Sequence, residues 1–218
     1  MVEDHDAQPV TEEVHHTVYS VANLITIMRL LLVPFFFTVL VDADGQRGRL
    51  TAFFIYAIAA STDWIDGQIA RRTHTVTQFG KIVDPLVDRL LLASGVVGLY
   101  LIDVLPLWAP IVLLGRDAYL LYGAYKLERY QVILPVTYTG KLTTAVLFTG
   151  FASLIAGWPE VPGIGLVETS WLPGFGSASS PLGIWFVYVG VVLSLSAAVQ
   201  YTLIAVRART AAIEAERG

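Results

Sequence analysis

Six long apolar segments constrain the fold of this chain more than any other feature of its sequence. Each is close to the length of about 20 residues that an α-helix needs to cross a bilayer. Only 15% of the 218 residues are charged, against about 25% in a typical soluble domain. The sequence therefore predicts an all-α membrane protein, built as a six-transmembrane-helix bundle. The predicted spans are 21–41, 49–70, 80–103, 106–125, 140–158 and 182–206.

The segments outside the apolar runs predict one membrane domain with short tails. Residues 1–20 are acidic and lack the basic start of a secretory signal, so we expect a disordered N-terminal tail. Residues 21–206 form the six-helix domain, and 207–218 form a short C-terminal tail. A stretch rich in Gly, Pro and Ser at 158–181 is predicted to be a loop. The net charge of −4 favours no nucleic-acid partner, and without cysteine there is no disulfide or thiolate site.

Basic residues orient the predicted bundle, because cytoplasmic loops of membrane proteins carry an excess of Lys and Arg. With six spans, both termini share one side with the loops after spans two and four. The opposite side holds only Arg47 and Arg49. We therefore expect a multi-pass protein of the cell membrane whose termini are cytoplasmic. The basic residues on that side are Arg71, Arg72, Lys81, Lys126, Arg129, Lys141, Arg207, Arg209 and Arg217.

Several aspartates, Asp117 and four others, fall inside the predicted spans or near their ends. Ionisable groups are costly in lipid, and there they usually mark a polar cavity or a functional site. The aspartate side chain is too short to reach the interface, whereas Arg89 could extend toward it. A single such carboxylate could serve as a proton relay or an ion-pair partner. Four of them at regular spacing favour one shared site: Asp63, Asp66, Asp84 and Asp88.

The spacing of these aspartates brings them to two facing helix surfaces. Asp63 and Asp66 share one face of the second span, because each helical residue advances about 100°. Asp84 and Asp88 are four residues apart and line one stripe of the third span. The short connection between these spans makes them antiparallel neighbours, so the acidic faces can meet near the cytoplasmic end. Other residues that accompany the two faces are Gly67, Ala70, Arg71 and Gly80.

Converging carboxylates predict a site for divalent cations. Four such charges in a low-dielectric site repel each other by several kcal/mol unless protons or cations relieve them. Ligation by oxygen alone favours Mg²⁺ or Mn²⁺, with Ca²⁺ also possible. Two such ions close together suit displacement at phosphorus, and Arg71 can pair with phosphate oxygens. Gly67 and Gly80 leave room for a ligand, or they simply permit close helix packing.

The whole motif, D-x2-D-G-x2-A-R-x8-G-x3-D-x3-D at residues 63–88, resembles the signature of the CDP-alcohol phosphatidyltransferases. The resemblance implies a six-helix bundle, commonly a homodimer, with an active site that opens to the cytoplasm. It implies that the four aspartates bind two metal ions and that Asp88 is also the general base for the acceptor hydroxyl. That hydroxyl attacks the lipid-bearing phosphorus of CDP-diacylglycerol, and CMP leaves. The implied pocket for the CDP part is Asp66, Gly67, Ala70, Arg71 and Gly80.

A second segment refines the resemblance. The start of the first span, N-x2-T-x2-R, is similar to the family branch that makes phosphatidylglycerophosphate or cardiolipin. Its polar residues could pack against the motif helices and support the site. The alternative is a polar helix start followed by an arginine that extends to the interface. The three supporting residues are Asn23, Thr26 and Arg29.

Arg116 and Lys141 are the candidate ligands for the phosphate of the acceptor. Lys141 alone could be only a topology anchor. Where this chain has Arg116-Asp117, glycerophosphate transferases usually have Arg-Glu, and Arg-Asp is more typical of the family's cardiolipin synthases. We expect glycerol 3-phosphate as the acceptor, giving phosphatidylglycerophosphate, with phosphatidylglycerol, giving cardiolipin, as the alternative. In a different class, a cation transporter could use the aspartates, but the acidic motif occurs once and lacks the internal repeat typical of transporters.

Overall fold

The computed structural model describes most of the chain. The backbone is described for residues 21–73, 78–128 and 138–215, and the side chains for 26–62, 83, 86–126 and 138–206. Within these residues the fold is mostly helical, as predicted, with six α-helices. They are α1 Val21–Val41, α2 Gly45–Thr73, α3 Gln78–Leu101, α4 Trp108–Glu128, α5 Tyr138–Ala156 and α6 Gly183–Ala215.

The helices coincide with the predicted segments, and the main differences are at two ends. Helix α2 begins at Gly45 rather than at 49, and α6 continues to Ala215, into the segment predicted as a tail. Apolar residues mark only the stretch that lipid or core requires. A helix extends beyond that stretch when good helix formers follow, as the Ala-, Arg- and Glu-rich end of α6 does.

Apolar surface associates this protein with the membrane. Within the described residues, α5 and the first 24 residues of α6, Gly183–Val206, are long and apolar enough to cross a bilayer. Large apolar side chains also stand more than half exposed on other helices, a surface that a soluble monomer rarely presents in quantity. That all six helices cross the membrane stays a prediction. Examples of the exposed side chains are Leu31, Phe35, Phe54, Ile58 and Ile111.

The first three helices pack around a buried aromatic pair. The ring centroids of Phe36 on α1 and Tyr56 on α2 lie 5.1 Å apart, and Leu91 on α3 is fully buried beside this core. Gly98 of α3 lies against Leu40 of α1, since a Cβ at Gly98 would be 2.6 Å from Leu40 Cδ2. A small residue at this contact therefore lets α1 and α3 approach closely.

Helices α5 and α6 form the other close pair. A Cβ at Gly183 would lie 2.9 Å from the backbone nitrogen of Leu154, and one at Gly190 would lie 2.5 Å from Leu147 Cδ2. Helix α5 also contacts α2 and α3, and α6 contacts α4. Helix α5 therefore connects the half of the bundle that carries the aspartate motif to the half that carries Arg116.

The segment predicted as a loop is folded into what we call the α5–α6 lobe, residues 157–182. Strand β1, Glu160–Val161, pairs with β2, Ser180–Pro181, in an antiparallel arrangement. Further along, the Leu166 amide donates to the Phe175 carbonyl at 2.8 Å. The indole of Trp108 donates to the Trp171 carbonyl at 2.7 Å, which attaches the lobe to the start of α4.

Each of the last four carbonyls of α5 accepts a hydrogen bond. The amides of Gly157 and Trp158 donate to Leu154 and Ser153 at 3.2 and 3.3 Å, and Gly157 has a φ of 69°; this is the arrangement of a Schellman cap. The guanidinium of Arg49, on α2, donates to Leu154 O and Ile155 O at 2.6 and 3.1 Å. From the same helix start, the Gln46 side chain donates to the Ala156 carbonyl at 3.0 Å. Two residues at the beginning of α2 therefore fix it to the end of α5.

Candidate functional site

Both halves of the aspartate motif lie on α-helices, as their spacing requires. Asp63 and Asp66 belong to α2, and Asp84 and Asp88 belong to α3, which follows after residues 74–77. Asp88 is the motif carboxylate whose side chain is described. The motif positions whose side chains lie outside the described residues are Asp63, Asp66, Gly67, Ala70, Arg71, Gly80 and Asp84.

An ion pair connects α1 to the last aspartate of the motif. Arg29 NH1 lies 3.1 Å from Asp88 Oδ1, with the arginine side chain 1% exposed and the carboxylate 34% exposed. Thr26, one turn earlier on the same face of α1, is also buried. A buried guanidinium is tolerated when a carboxylate pairs with it. The N-x2-T-x2-R segment thus reaches the motif through Arg29, while the side chain of Asn23 lies outside the described residues.

The donor chemistry of Asp88 fits a divalent cation. Its carboxylate is a hard oxygen ligand, the type that Mg²⁺ and Mn²⁺ prefer, and it is partly accessible beside Arg29. Within the described side chains, no three Asp, Glu or His residues cluster as metal ligands. Three of the four predicted ligands lie outside that set, so their convergence stays a prediction.

A second polar group lies inside the bundle, on α4. Arg116 NH1 is 2.7 Å from Asp117 Oδ1, and these side chains are 16% and 26% exposed. Arg116 Nε also donates to the carbonyl of Ser194 on α6 at 3.3 Å. Together with Thr143 and Thr144 of α5, they line a cavity of about 30 Å³. The predicted acceptor arginine is therefore held between three helices, beside a small and mostly apolar cavity to which two threonines contribute.

Lys141 is not part of this group. It is exposed on α5, and no hydrogen bond or ion pair joins it to Arg116 within the described part of the chain. Thr143 faces the cavity, and a position two residues away on a helix is turned by about 200°. The structure thus does not bring Arg116 and Lys141 together, although the sequence predicted that they meet.

Arg89 is a residue whose environment the sequence did not reveal. Its position near a span end predicts a side chain that could extend toward the interface. Instead, its NH1 atom is buried and has no hydrogen-bond partner among the residues that the structure describes. Its position directly after Asp88 is the sequence feature that could have indicated a place near the motif.

The sequence matches a known protein family over most of its length. A family model described as CDP-alcohol phosphatidyltransferase matches residues 19–196. This range contains α1 to α5, the start of α6 and both halves of the aspartate motif. It also contains Arg29, Arg116 and Lys141.

Curated relatives fall into two kinds. A protein of Mycobacterium tuberculosis named probable phosphatidylglycerophosphate synthase is 35% identical over 144 residues, covering 64% of this chain and 68% of the relative. A Streptomyces coelicolor protein named cardiolipin synthase (CMP-forming) is 33% identical over 148 residues, covering 65% and 69%. The CDP-diacylglycerol–glycerol-3-phosphate 3-phosphatidyltransferase of Bacillus subtilis is 33% identical over 110 residues, covering 45% and 57%.

Proposed function

This chain belongs to the CDP-alcohol phosphatidyltransferase family, and we propose that it transfers the phosphatidyl group of CDP-diacylglycerol to glycerol 3-phosphate. The products are phosphatidylglycerophosphate and CMP. The observation that carries the proposal is the Arg29–Asp88 ion pair. It joins the segment typical of the glycerophosphate and cardiolipin branch to the carboxylate proposed as the general base. The relatives from M. tuberculosis and B. subtilis, by their names, support the choice of acceptor.

Asp88 is the proposed base for the transfer. Its carboxylate takes the proton of the acceptor hydroxyl as the hydroxyl oxygen bonds to the lipid-bearing phosphorus, and the bond from that phosphorus to the CMP oxygen breaks. Arg29 holds Asp88 in place from α1 through their ion pair. The residues proposed to hold the CDP part of the donor are Asp66, Gly67, Ala70, Arg71 and Gly80.

Divalent metals are generally used in this family. We propose that Asp63, Asp66, Asp84 and Asp88 hold two ions, Mg²⁺ or Mn²⁺, which neutralise charge on the transferred and leaving phosphates when bound. The carboxylates on α2 and α3 then no longer repel one another. Arg29 compensates part of the negative charge at the Asp88 end of the site.

Arg116 is the proposed ligand of the acceptor phosphate. It lies with Thr143 and Thr144 in a partly enclosed pocket whose other lining is mostly apolar, and a guanidinium can bind phosphate oxygens in bidentate fashion. Lys141 keeps a proposed role only as a second cation, since it is exposed and separate from Arg116 in this structure.

The Arg116–Asp117 pair favours phosphatidylglycerol as a second candidate acceptor. At 2.7 Å, Asp117 cancels most of the positive charge that a doubly charged phosphomonoester would need. A phosphodiester carries only one negative charge and requires less compensation. The product would then be cardiolipin, in accord with the name of the S. coelicolor relative.

The proposed setting of the reaction is a homodimer in the cell membrane. Each chain would cross the bilayer six times with residues 21–206 as the membrane domain, and the active site would open to the cytoplasm. The distribution of Lys and Arg supports this orientation. The apolar surfaces of the described helices support insertion in lipid.

The test is an assay of the purified full-length protein with CDP-diacylglycerol and separate acceptors. With glycerol 3-phosphate we expect metal-dependent CMP release and phosphatidylglycerophosphate, identified by mass spectrometry. Arg116→Ala is expected to raise the acceptor KM about ten- to a hundredfold, with little change in the KM for CDP-diacylglycerol. Cardiolipin formed only from phosphatidylglycerol would select the second candidate. If neither acceptor supports CMP release, both candidate functions are refuted.

A further inference from the structure

Arg89, in α3, has a guanidinium nitrogen whose burial no contact in the described residues compensates. Its guanidinium NH1 is buried and lacks a hydrogen-bond partner within the described part of the chain. Among the described side chains, Arg29 pairs with Asp88 and Arg116 pairs with Asp117. The Arg89 side chain is partly exposed, but a buried guanidinium nitrogen without a hydrogen-bond partner is costly in a protein interior and more so in a membrane. Such a group is stable where an anion binds to it.

Helical periodicity directs Arg89 toward the Arg116 cavity. Residues at i, i+3, i+4 and i+7 share one face of a helix, and for Arg89 these are Leu92, Ala93 and Val96. All three line the cavity that contains Arg116. Arg89 therefore lies on the cavity-facing side of α3, about one turn nearer the aspartate motif than Leu92.

We infer that Arg89 and Arg116 together bind one phosphate group, that of the acceptor, in the groove between α3, α4 and α5. The inference deepens the proposed function and rests on it for the identity of the ligand. Arg116 alone is largely neutralised by Asp117, whereas Arg89 adds a positive charge without such a partner. Asp88, which precedes Arg89 in α3, would connect this phosphate site to the proposed base.

The ligand chemistry is a phosphate that carries a free alcohol, and it has two sources. Glycerol 3-phosphate would bring a phosphomonoester from solution, and phosphatidylglycerol would bring a phosphodiester from the bilayer. A second guanidinium favours the more highly charged phosphomonoester, because it restores the charge that Asp117 removes from Arg116. It adds a cation that lies nearer to the pocket than the exposed Lys141.

The experiment measures binding without turnover. The full-length wild type and the variants Arg89→Gln, Arg89→Lys, Arg116→Gln and the double Gln variant are placed in nanodiscs of neutral lipid. Binding of radiolabelled glycerol 3-phosphate is measured by equilibrium dialysis, and phosphatidylglycerol is the second probe. Arg47→Gln is the matched control, since Arg47 is exposed. KM and kcat for both substrates are determined in parallel.

We expect Arg89→Gln to weaken binding of glycerol 3-phosphate about tenfold or more, with Arg89→Lys between Gln and wild type. The double variant should lose less than the two single losses combined, because both residues contact one phosphate. If Arg89→Gln instead weakens the binding of phosphatidylglycerol, the two-arginine site is supported and its ligand is the lipid phosphate.

Three outcomes would overturn the inference: unchanged binding in Arg89→Gln, a uniform loss of kcat with both KM values intact, or no saturable binding of either probe to wild type. Failure of the proposed function would look different. Wild type would then bind the phosphate probe in an Arg89-dependent manner yet release no CMP from CDP-diacylglycerol.

Discussion

Arg49 gives a quantitative test of how the bundle is held together. It donates two hydrogen bonds from α2 to the last turn of α5, to Leu154 O at 2.6 Å and Ile155 O at 3.1 Å. Carbonyls in the last turn of a helix have no partner within the helix; Leu154 O also accepts the Gly157 amide at 3.2 Å, whereas Ile155 O is bonded by Arg49. The positive charge also lies at the negative end of the α5 dipole. Arg49→Ala removes all three contributions.

The expected cost follows from the bonds. A hydrogen bond to a charged group contributes about 1.5–3 kcal/mol. Arg49 makes two such bonds, and its partial exposure reduces their combined contribution. We expect the free energy of unfolding to fall by about 3 kcal/mol. For a chain of this size that lowers the melting temperature by about 6–12 °C. Arg49→Lys keeps the charge but not the two-pronged geometry, so its melting temperature should lie between those of Ala and wild type.

Intrinsic tryptophan fluorescence during heating, at fixed detergent and lipid, measures these melting temperatures. Arg47→Ala is the control, because it removes the same charge two residues away from an exposed position. A surface change of that kind usually alters stability by less than about 0.5 kcal/mol. Equal melting temperatures for Arg49→Ala and Arg47→Ala would refute the capping argument.

Three further outcomes are expected. Asp63→Asn and Asp84→Asn, like metal chelation of wild type, abolish CMP release without unfolding the protein; activity in metal-free enzyme would contradict the metal assignment. Single cysteines at Thr75 and Ser177 react with impermeant maleimide from opposite membrane sides; labelling from one side would contradict six crossings. Hydrogen bonds from Ser177 lower the pKa of Glu168 from its ordinary value of 4.5. This contact therefore stabilises the lobe above pH 4.5 and is lost as the pH falls further. Exchange of the Ser177 amide, relative to its intrinsic rate, should accelerate at low pH in the wild type, and Glu168→Gln should remove this pH dependence.

The helices could be predicted from the sequence because apolar runs of bilayer length have one compatible structure. The predicted segment 140–158 and the observed α5, Tyr138–Ala156, differ by two residues at each end. Gly157 ends this helix, since its φ of 69° is one that glycine adopts without strain. The family was also accessible from sequence, because the aspartate motif is local and its spacing is fixed by the helix.

The partners of individual side chains could not be predicted in the same way. Arg29 and Asp88 are 59 positions apart, and their contact depends on how α1 and α3 pack. The same holds for Arg116, whose bond to Ser194 O crosses from α4 to α6. The sequence pairs Lys141 with Arg116 because both are basic and belong to successive spans, Arg116 inside the fourth and Lys141 at the start of the fifth. Whether Lys141 or Thr143 faces the cavity depends on how α5 packs in the bundle. The local sequence of α5 does not determine this.

Arginine has two separate uses in the described part of this bundle. Arg29 links α1 to α3, Arg49 links α2 to α5, and Arg116 links α4 to α6. Lipid is as apolar as the helix surfaces, so specific polar contacts carry more of the burden of selecting helix neighbours than in a soluble core. Arg47 is exposed, and Arg89, directly after Asp88, buries a guanidinium nitrogen that bonds to no other helix in the described part of the chain. A guanidinium that pairs with no neighbouring helix can contribute its binding energy to a ligand, and this is why we infer that Arg89 binds the acceptor phosphate together with Arg116.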